Sequence, residues 1–77
     1  MTVKELFEVT NTRFIYPDVT IIDETEEYNI ETFKYPQYGI NYIDEMLSKF
    51  GNRVITQKGV TFGTDKFGVN YIVVEVK

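Results

Sequence analysis

The chain has 77 residues, 43% of them hydrophobic and 16% aromatic, and a net charge of −4. A chain of this length forms one domain and removes only about 60% of its unfolded surface from water, and its apolar content excludes a disordered protein. The absence of cysteine excludes a disulfide framework and a thiolate metal site. No apolar run approaches the roughly 20 residues that span a bilayer, so we expect a cytoplasmic protein with no membrane segment.

Charge is distributed unevenly along the chain. Residues 1–31 contain eight acidic residues against two basic ones, a net charge of −6, whereas residues 32–77 have four acidic and six basic residues, a net charge of +2. Asymmetry of this kind steers association with oppositely charged partners.

The first predicted element is a short helix. Thr2 and Glu5 have the spacing of a capping box, in which the threonine hydroxyl and the glutamate carboxylate each accept from the other residue's amide. Apolar residues then recur at helical spacing: Val3, Leu6 and Phe7. Asn11 is suited to end the helix. Two turns do not persist alone, so this helix must dock against the rest of the domain.

Short strands are predicted next. Residues 12–16 and 19–22 are rich in β-branched and aromatic side chains and flank the turn signal Pro17-Asp18, which indicates a tight hairpin or a bent strand. A polar run at residues 23–27 follows. Residues 28–33 then begin with the alternation typical of a further strand.

The clearest helix follows Pro36, which suits a first helical turn. Four apolar residues recur with helical periodicity and predict a buried stripe: Ile40, Ile43, Leu47 and Phe50. Asn41 is an alternative, later start, and Gly51 with Asn52 ends the helix. We expect four polar side chains of this helix to face water: Asp44, Glu45, Ser48 and Lys49.

The last third predicts a hairpin, with residues 53–62 outgoing, residues 63–68 as the loop and residues 69–76 returning. Gly59 indicates a bulge in the outgoing strand. The returning strand is apolar on both faces, which suits a central strand or an edge covered by a partner. The predicted fold is a single α+β domain of residues 1–77, an antiparallel sheet of four to five strands with two helices packed on one face.

The residue types argue against an enzyme. The sequence contains neither histidine nor cysteine, and its only serine, Ser48, falls on the outer face of the predicted helix. Residues 23–27 lack the spacing and the glycine turn of a calcium loop. Gly63 and Gly68 have the spacing of a phosphate loop but lack its lysine and its following helix. We predict no catalytic residue, no cofactor and no metal site.

The acidic first half predicts a protein partner. A sheet bearing aromatic residues can stack nucleic-acid bases, but the net charge of −4 opposes the phosphate attraction that supplies affinity, so direct nucleic-acid binding is not expected. Acidic side chains could instead imitate a line of phosphates and occupy a basic surface on a nuclease or another nucleic-acid-handling protein. The residues assigned to this surface are Asp23, Glu24, Glu26, Glu27 and Glu31.

Three tyrosines form a second predicted protein-binding surface: Tyr35, Tyr38 and Tyr42. Tyrosine combines a large contact area with a hydrogen-bonding tip and is enriched at interfaces. Burial of these tyrosines against the sheet is the alternative interpretation. A homodimer formed through them, or through residues 69–76, would make the chain a structural or assembly module.

Residues 2–9, with the sequence TVKELFEV, and the aromatic short strands after them resemble small uncharacterised proteins of phages and mobile elements from Gram-positive bacteria. In size, acidity and α+β pattern the chain is also similar to phage anti-CRISPR proteins. That resemblance implies an inhibitor that covers the DNA-binding surface of a host nuclease, and it carries over no individual residue. The sequence thus predicts a non-enzymatic protein-binding module, with a homo-oligomeric assembly module or a nucleic-acid-binding module as alternatives.

Overall fold

A computed structural model of the protein describes residues 1–10, 16–25 and 29–77. Within these ranges the chain forms three helices and four strands. In chain order they are α1 (Val3–Thr10), β1 (Asp18–Asp23), β2 (Asn29–Phe33), α2 (Tyr35–Tyr38), α3 (Tyr42–Phe50), β3 (Ile55–Thr64) and β4 (Asn70–Val76). The strands form one sheet in the order β2-β1-β4-β3.

The sheet is mixed. β1 and β2 pair antiparallel, as do β3 and β4, but β1 and β4 at the centre run parallel. The α+β class and the four strands are confirmed, while the central pairing differs from the wholly antiparallel prediction. The cause is α3, which crosses the sheet once between β2 and β3. β3 therefore runs in the direction of β2, and β4, reversed by its hairpin, runs in the direction of β1.

α1 begins as its capping box predicts. The Glu5 amide donates to Thr2 Oγ1 at 3.2 Å, and the Thr2 amide donates to Glu5 Oε1 at 3.0 Å. The helix docks through the chain around its first turn, because Thr2 bridges Val54 and the Val3 amide donates to the Arg53 carbonyl at 3.1 Å. This two-turn helix is thus held by backbone contacts as well as by its apolar face.

The core lies between the sheet and the two helices α1 and α3. Alternate residues of the central strands are buried in it: Val19, Ile21, Ile72, Val74 and Val76. The helices contribute Val3, Leu6, Phe7, Ile43, Met46 and Phe50. One core shared by both helices confirms that they pack on one face of the sheet, and the central place of β4 agrees with its two-sided apolarity.

The helix predicted after Pro36 is divided in two. α2 holds Pro36 in its first turn and stops at Gly39, whose left-handed φ of 77° interrupts the helix, and α3 then begins after Asn41. Both predicted starts are therefore used. The break has one consequence that the periodicity did not predict: Ile40 leaves the core face and is 67% exposed.

The β3–β4 hairpin contains the predicted bulge. The strand register shifts between Ile55 and Val60, and Gly59 there has a φ of 72°. Closer to the loop, Gly63 lies against the ring of Tyr71, which a Cβ at this position would overlap. Among the described residues, no helix has the length and apolarity needed to cross a membrane.

Some predicted features lie outside the described residues: the helix end at Asn11, residues 12–15 of the first predicted strand, Glu26 and Glu27 of the polar run, and Tyr28. Residues 19–22 and 29–33 are strands, as predicted. Tyr16, the last residue of the first predicted strand, is exposed and precedes β1 without belonging to it.

Candidate functional site

Asp23, the first member of the predicted acidic surface, is buried. Only 3% of the residue is exposed. Its two carboxylate oxygens accept hydrogen bonds from Arg53 Nη1 and Nη2 at 2.9 and 2.7 Å. Thr25 adds a backbone donor at 3.0 Å and a hydroxyl donor at 2.7 Å. These hydrogen bonds, Arg53's first, hold the pKa of the Asp23 carboxyl well below its usual range. Asp23 therefore stabilises the fold and is not available to a partner.

The other described members of the acidic surface also face cations. Glu31 Oε1 accepts from Lys49 Nζ at 2.6 Å, and Glu24 Oε1 lies 3.9 Å from Lys58 Nζ. The remaining members lie outside the described residues: Glu26 and Glu27. A phosphate-imitating face requires carboxylates that are free to meet a partner's cations, and each described carboxylate of this set is already paired within the chain.

The three predicted tyrosines divide into two roles. Tyr42 is 1% exposed, and its hydroxyl donates to the Pro17 carbonyl at 2.8 Å inside the protein. Burial, with the nearby charge of Asp18, raises the pKa of Tyr42 to about 12, so the hydroxyl keeps the proton that it donates. For Tyr42 the structure therefore has the alternative arrangement, burial within the domain. Tyr35 and Tyr38 are both partly exposed, as that assignment requires.

Tyr35 lines a groove at one end of the sheet, where β1 and β4 begin and β2 and β3 end. The groove has a volume of about 660 Å³ and is lined by Tyr16, Asp18, Lys34, Tyr35, Pro36, Ile40 and Val69. Tyr16, Tyr35, Ile40 and Val69 are large apolar or aromatic residues that face solvent. We call this end of the sheet the groove end. Its volume lies in the range of pockets that bind ligands in proteins.

Breaks in the helix produce the wall of the groove. Pro36 and the left-handed Gly39 confine α2 to a single turn, which leaves Tyr35 and Ile40 at its two ends facing outward. Tyr38, on the same turn, packs its ring 5.2 Å from that of Phe33 and so fixes the turn to the sheet. The wall is therefore a short helical turn anchored from one side.

Tyr16 also lines the groove and has an unusual backbone. Its φ of 46° is left-handed, a conformation that costs energy for a bulky residue. The ring meets that of Tyr35 edge to face, with the centroids 5.7 Å apart. At the next residue, the Tyr42 hydroxyl donates to the Pro17 carbonyl, which fixes the chain as it enters β1. Strained backbone of this kind concentrates at functional positions.

The groove has the chemistry of a binding surface. Its polar members, Asp18 and Lys34, provide one negative and one positive group beside an apolar lining. Ser48 is exposed on α3 and does not belong to the lining. Within residues 1–10, 16–25 and 29–77, no three acidic side chains converge as a metal site requires. The lining can bury apolar side chains of a partner and pair with one charge of each sign.

The sequence predicted two members of the groove as binding residues, namely Tyr35 and, within the alternative homodimer segment 69–76, Val69, and it did not predict the others. Tyr16, Ile40 and Val69 come from three separate connections, so no local spacing unites them. The available signal was the helix-breaking pair Pro36 and Gly39, which marks a short exposed turn between two apolar segments.

Comparison of the chain with protein-family models, with curated proteins and with solved structures gives no match. The resemblance to phage and anti-CRISPR proteins therefore stays a prediction based on residues 2–9, size and charge. Fold and groove together define a class in structural terms: a small α+β domain, with a mixed sheet and an exposed aromatic groove at one end.

Proposed function

We propose that the protein is a non-enzymatic protein-binding module that takes up an apolar segment of a partner in the groove. The observation that carries the proposal is the set of exposed Tyr16, Tyr35, Ile40 and Val69 around one concave volume of about 660 Å³. Apolar and aromatic side chains exposed together around one concave surface are typical of binding sites, whereas apolar residues scattered singly over a surface are not. Tyrosine is also among the residues enriched at binding surfaces.

The lining predicts the chemistry of the partner segment. Two aromatic rings and two aliphatic side chains favour a large apolar or aromatic residue, because rings pack edge to face or offset against one another. Lys34 and Asp18 at the groove favour a segment with a charge of each sign beside that residue. The expected ligand is a short apolar stretch flanked by mixed charges.

Inhibition of a basic nucleic-acid-handling protein through the acidic surface receives less support from the contacts. A basic partner would first have to displace the cations that already pair with Asp23, Glu24 and Glu31. An inhibitor that acts through the groove is compatible with the same fold. Catalysis is not part of the proposal, because the sequence lacks both histidine and cysteine.

The test uses peptides selected from a random-peptide library against the immobilised wild-type protein. We expect the selected peptides to share a large apolar residue. Ile40→Ser should weaken their binding about tenfold or more, since central apolar contacts dominate interface energy. The matched control is Ile30→Ser on β2, the same change at a residue that is 62% exposed and outside the groove lining.

Isothermal titration of each variant with the same peptide supplies the comparison. The control should bind within about twofold of the wild type, because isolated surface apolar residues contribute little. Equal affinities for Ile40→Ser and wild type would show that the ligands bind elsewhere and would refute the proposed function.

A further inference from the structure

The loop of residues 65–69, between β3 and β4, presents a phenylalanine to solvent. Phe67 is 78% exposed. The Asp65 carboxylate holds the loop by accepting from the Phe67 amide at 2.8 Å and from the Val69 amide at 3.0 Å. The Asp65 amide in turn donates to the Val69 carbonyl at 2.9 Å. A loop fixed in this way loses little conformational entropy when its side chain is buried by a partner.

The Phe67 loop lies at the groove end. Val69, two residues after Phe67, is part of the groove lining, so the protruding ring and the concave surface are neighbours on one end of the molecule. In a two-fold symmetric dimer each copy uses the same patch, which must therefore contain both a protrusion and a matching recess. This end of the chain contains both.

Charge at this end also favours a second copy. Asp18 and Lys34 lie at the groove, and Asp65 and Lys66 lie on the loop, so these four side chains have a net charge of zero. The whole chain carries −4, so two copies repel each other on average, whereas these four side chains add no net repulsion. The Lys66 ammonium is 5.2 Å from the Phe67 ring centroid. The ring and the cation would therefore enter together a groove that offers aromatic rings and the carboxylate of Asp18.

We infer that the groove is occupied by Phe67 of a second copy of this chain, in a two-fold dimer in which Lys66 faces Asp18 of the other copy. The inference rests on the proposed function, because it uses the same groove as the binding surface. The proposed partner is a second copy of the protein.

Sedimentation equilibrium over a range of protein concentrations tests the inference. The wild type should pass from monomer to dimer with rising concentration. The dissociation constant of the Phe67→Ser dimer should be at least about tenfold higher than that of the wild type. Since Phe67 is mostly exposed, this variant should retain the circular dichroism spectrum of the wild type. Ile30→Ser serves again as the control and should dimerise as the wild type does.

A charge exchange makes the test specific to the proposed contact. Asp18→Lys and Lys66→Asp alone each place like charges together twice per dimer, and each should weaken dimerisation about tenfold or more. The two changes combined restore opposite charges and should return the dissociation constant to within about threefold of the wild type. Absence of this rescue would overturn the assigned contact.

The outcomes separate the two proposals. A wild type that stays monomeric at the highest concentration, with Ile40→Ser still impairing peptide binding, overturns the dimer and leaves the proposed function standing. A dimer that Phe67→Ser and Ile40→Ser do not affect overturns the inference that the groove is its interface. Peptide binding that is indifferent to Ile40→Ser refutes the proposed function itself, whatever the oligomeric state.

Discussion

The two ends of the sheet carry different kinds of side chain. At the groove end, aromatic and aliphatic residues are exposed around a concave surface. At the opposite end, where β1 and β4 finish, Arg53 donates to the Asp23 carboxylate and also, through Nε at 3.2 Å, to the carbonyl of Lys77. Glu24 and Lys58 form a further ion pair there. We call this the charged end.

The comparison separates what holds the fold from what remains available to a partner. The charged end satisfies its polar groups inside the chain, and a partner would have to break those contacts to use them. The groove end leaves apolar area in water, which gives a favourable free energy only when something covers it. Variants at the charged end should therefore change stability, and variants at the groove end should change binding.

The largest effect on stability is expected for Arg53→Met at the charged end. The change leaves the buried Asp23 carboxylate without its cation, and an uncompensated buried charge is strongly unfavourable. Urea unfolding should give the greatest loss of unfolding free energy of the variants described here. Lys58→Met is the control, because that side chain is 66% exposed and its change should stay within about 0.5 kcal/mol. Similar losses for both variants would show that the buried Arg53–Asp23 pair stabilises the fold no more than the exposed Lys58–Glu24 pair does.

Acid unfolding gives an independent check of the same ion pair. Hydrogen bonds from Arg53 and then Thr25 lower the pKa of Asp23 in the folded state. Its contribution to stability is complete above the unfolded pKa of about 3.9 and is lost as the pH falls toward the folded value. The wild type should therefore lose stability more steeply than Asp23→Asn below about pH 4. Parallel curves for the two proteins would mean that this carboxyl does not couple to folding.

A smaller effect is expected for Tyr42→Phe, at the tyrosine whose hydroxyl holds the chain entering β1. The change removes the donor to the buried Pro17 carbonyl and should cost roughly 1–3 kcal/mol in urea unfolding. Because Pro17 lies between Tyr16 and Asp18, which both line the groove, peptide affinity should also fall. Tyr38→Phe, at a partly exposed tyrosine, should leave stability within about 0.5 kcal/mol. If both variants unfold alike, the hydrogen bond does not support the groove.

The smallest effect on stability, with the clearest effect on binding, is expected for Tyr16→Asn. Asparagine tolerates the left-handed φ of 46°, so relief of backbone strain should offset the lost ring contact and leave stability within about 1 kcal/mol. Peptide affinity should nevertheless fall, because the wall of the groove is gone. Tyr35→Asn removes the same ring pair without relieving strain and should be the less stable of the two. The opposite order would argue against strain at Tyr16.

The fold was predictable where the signal was local. The capping box of Thr2 and Glu5, the stop at Gly51 and the bulge at Gly59 depend on neighbouring residues and are confirmed. The parallel pairing of β1 with β4 was not predictable from local signals, because it depends on α3 crossing the sheet between two hairpins. Strand direction in such a pairing is a property of the whole chain path, and no short spacing encodes it.

The site was predictable only by residue type. Tyr35 and Tyr38 are partly exposed, whereas Tyr42, four residues after Tyr38, is buried because it belongs to α3, which begins after the break at Gly39. Asp23 belongs to a polar run whose composition predicts exposure to solvent. It is buried because it pairs with Arg53, which comes from the distant connection between α3 and β3. Contacts between such distant positions decide which charges are free, and composition does not specify them.

The position of β4 has a consequence for how the protein reaches this structure. The strand occurs last in the sequence yet lies at the centre of the sheet, and its pairing with β1 joins residues as far apart as Asp18 and Tyr71. Closing so long a loop costs entropy before any contact repays it, which slows folding. During synthesis, the edge of β1 that pairs with β4 stays unpaired until β4 leaves the ribosome. Over that interval the nascent chain is most exposed to aggregation and to chaperones.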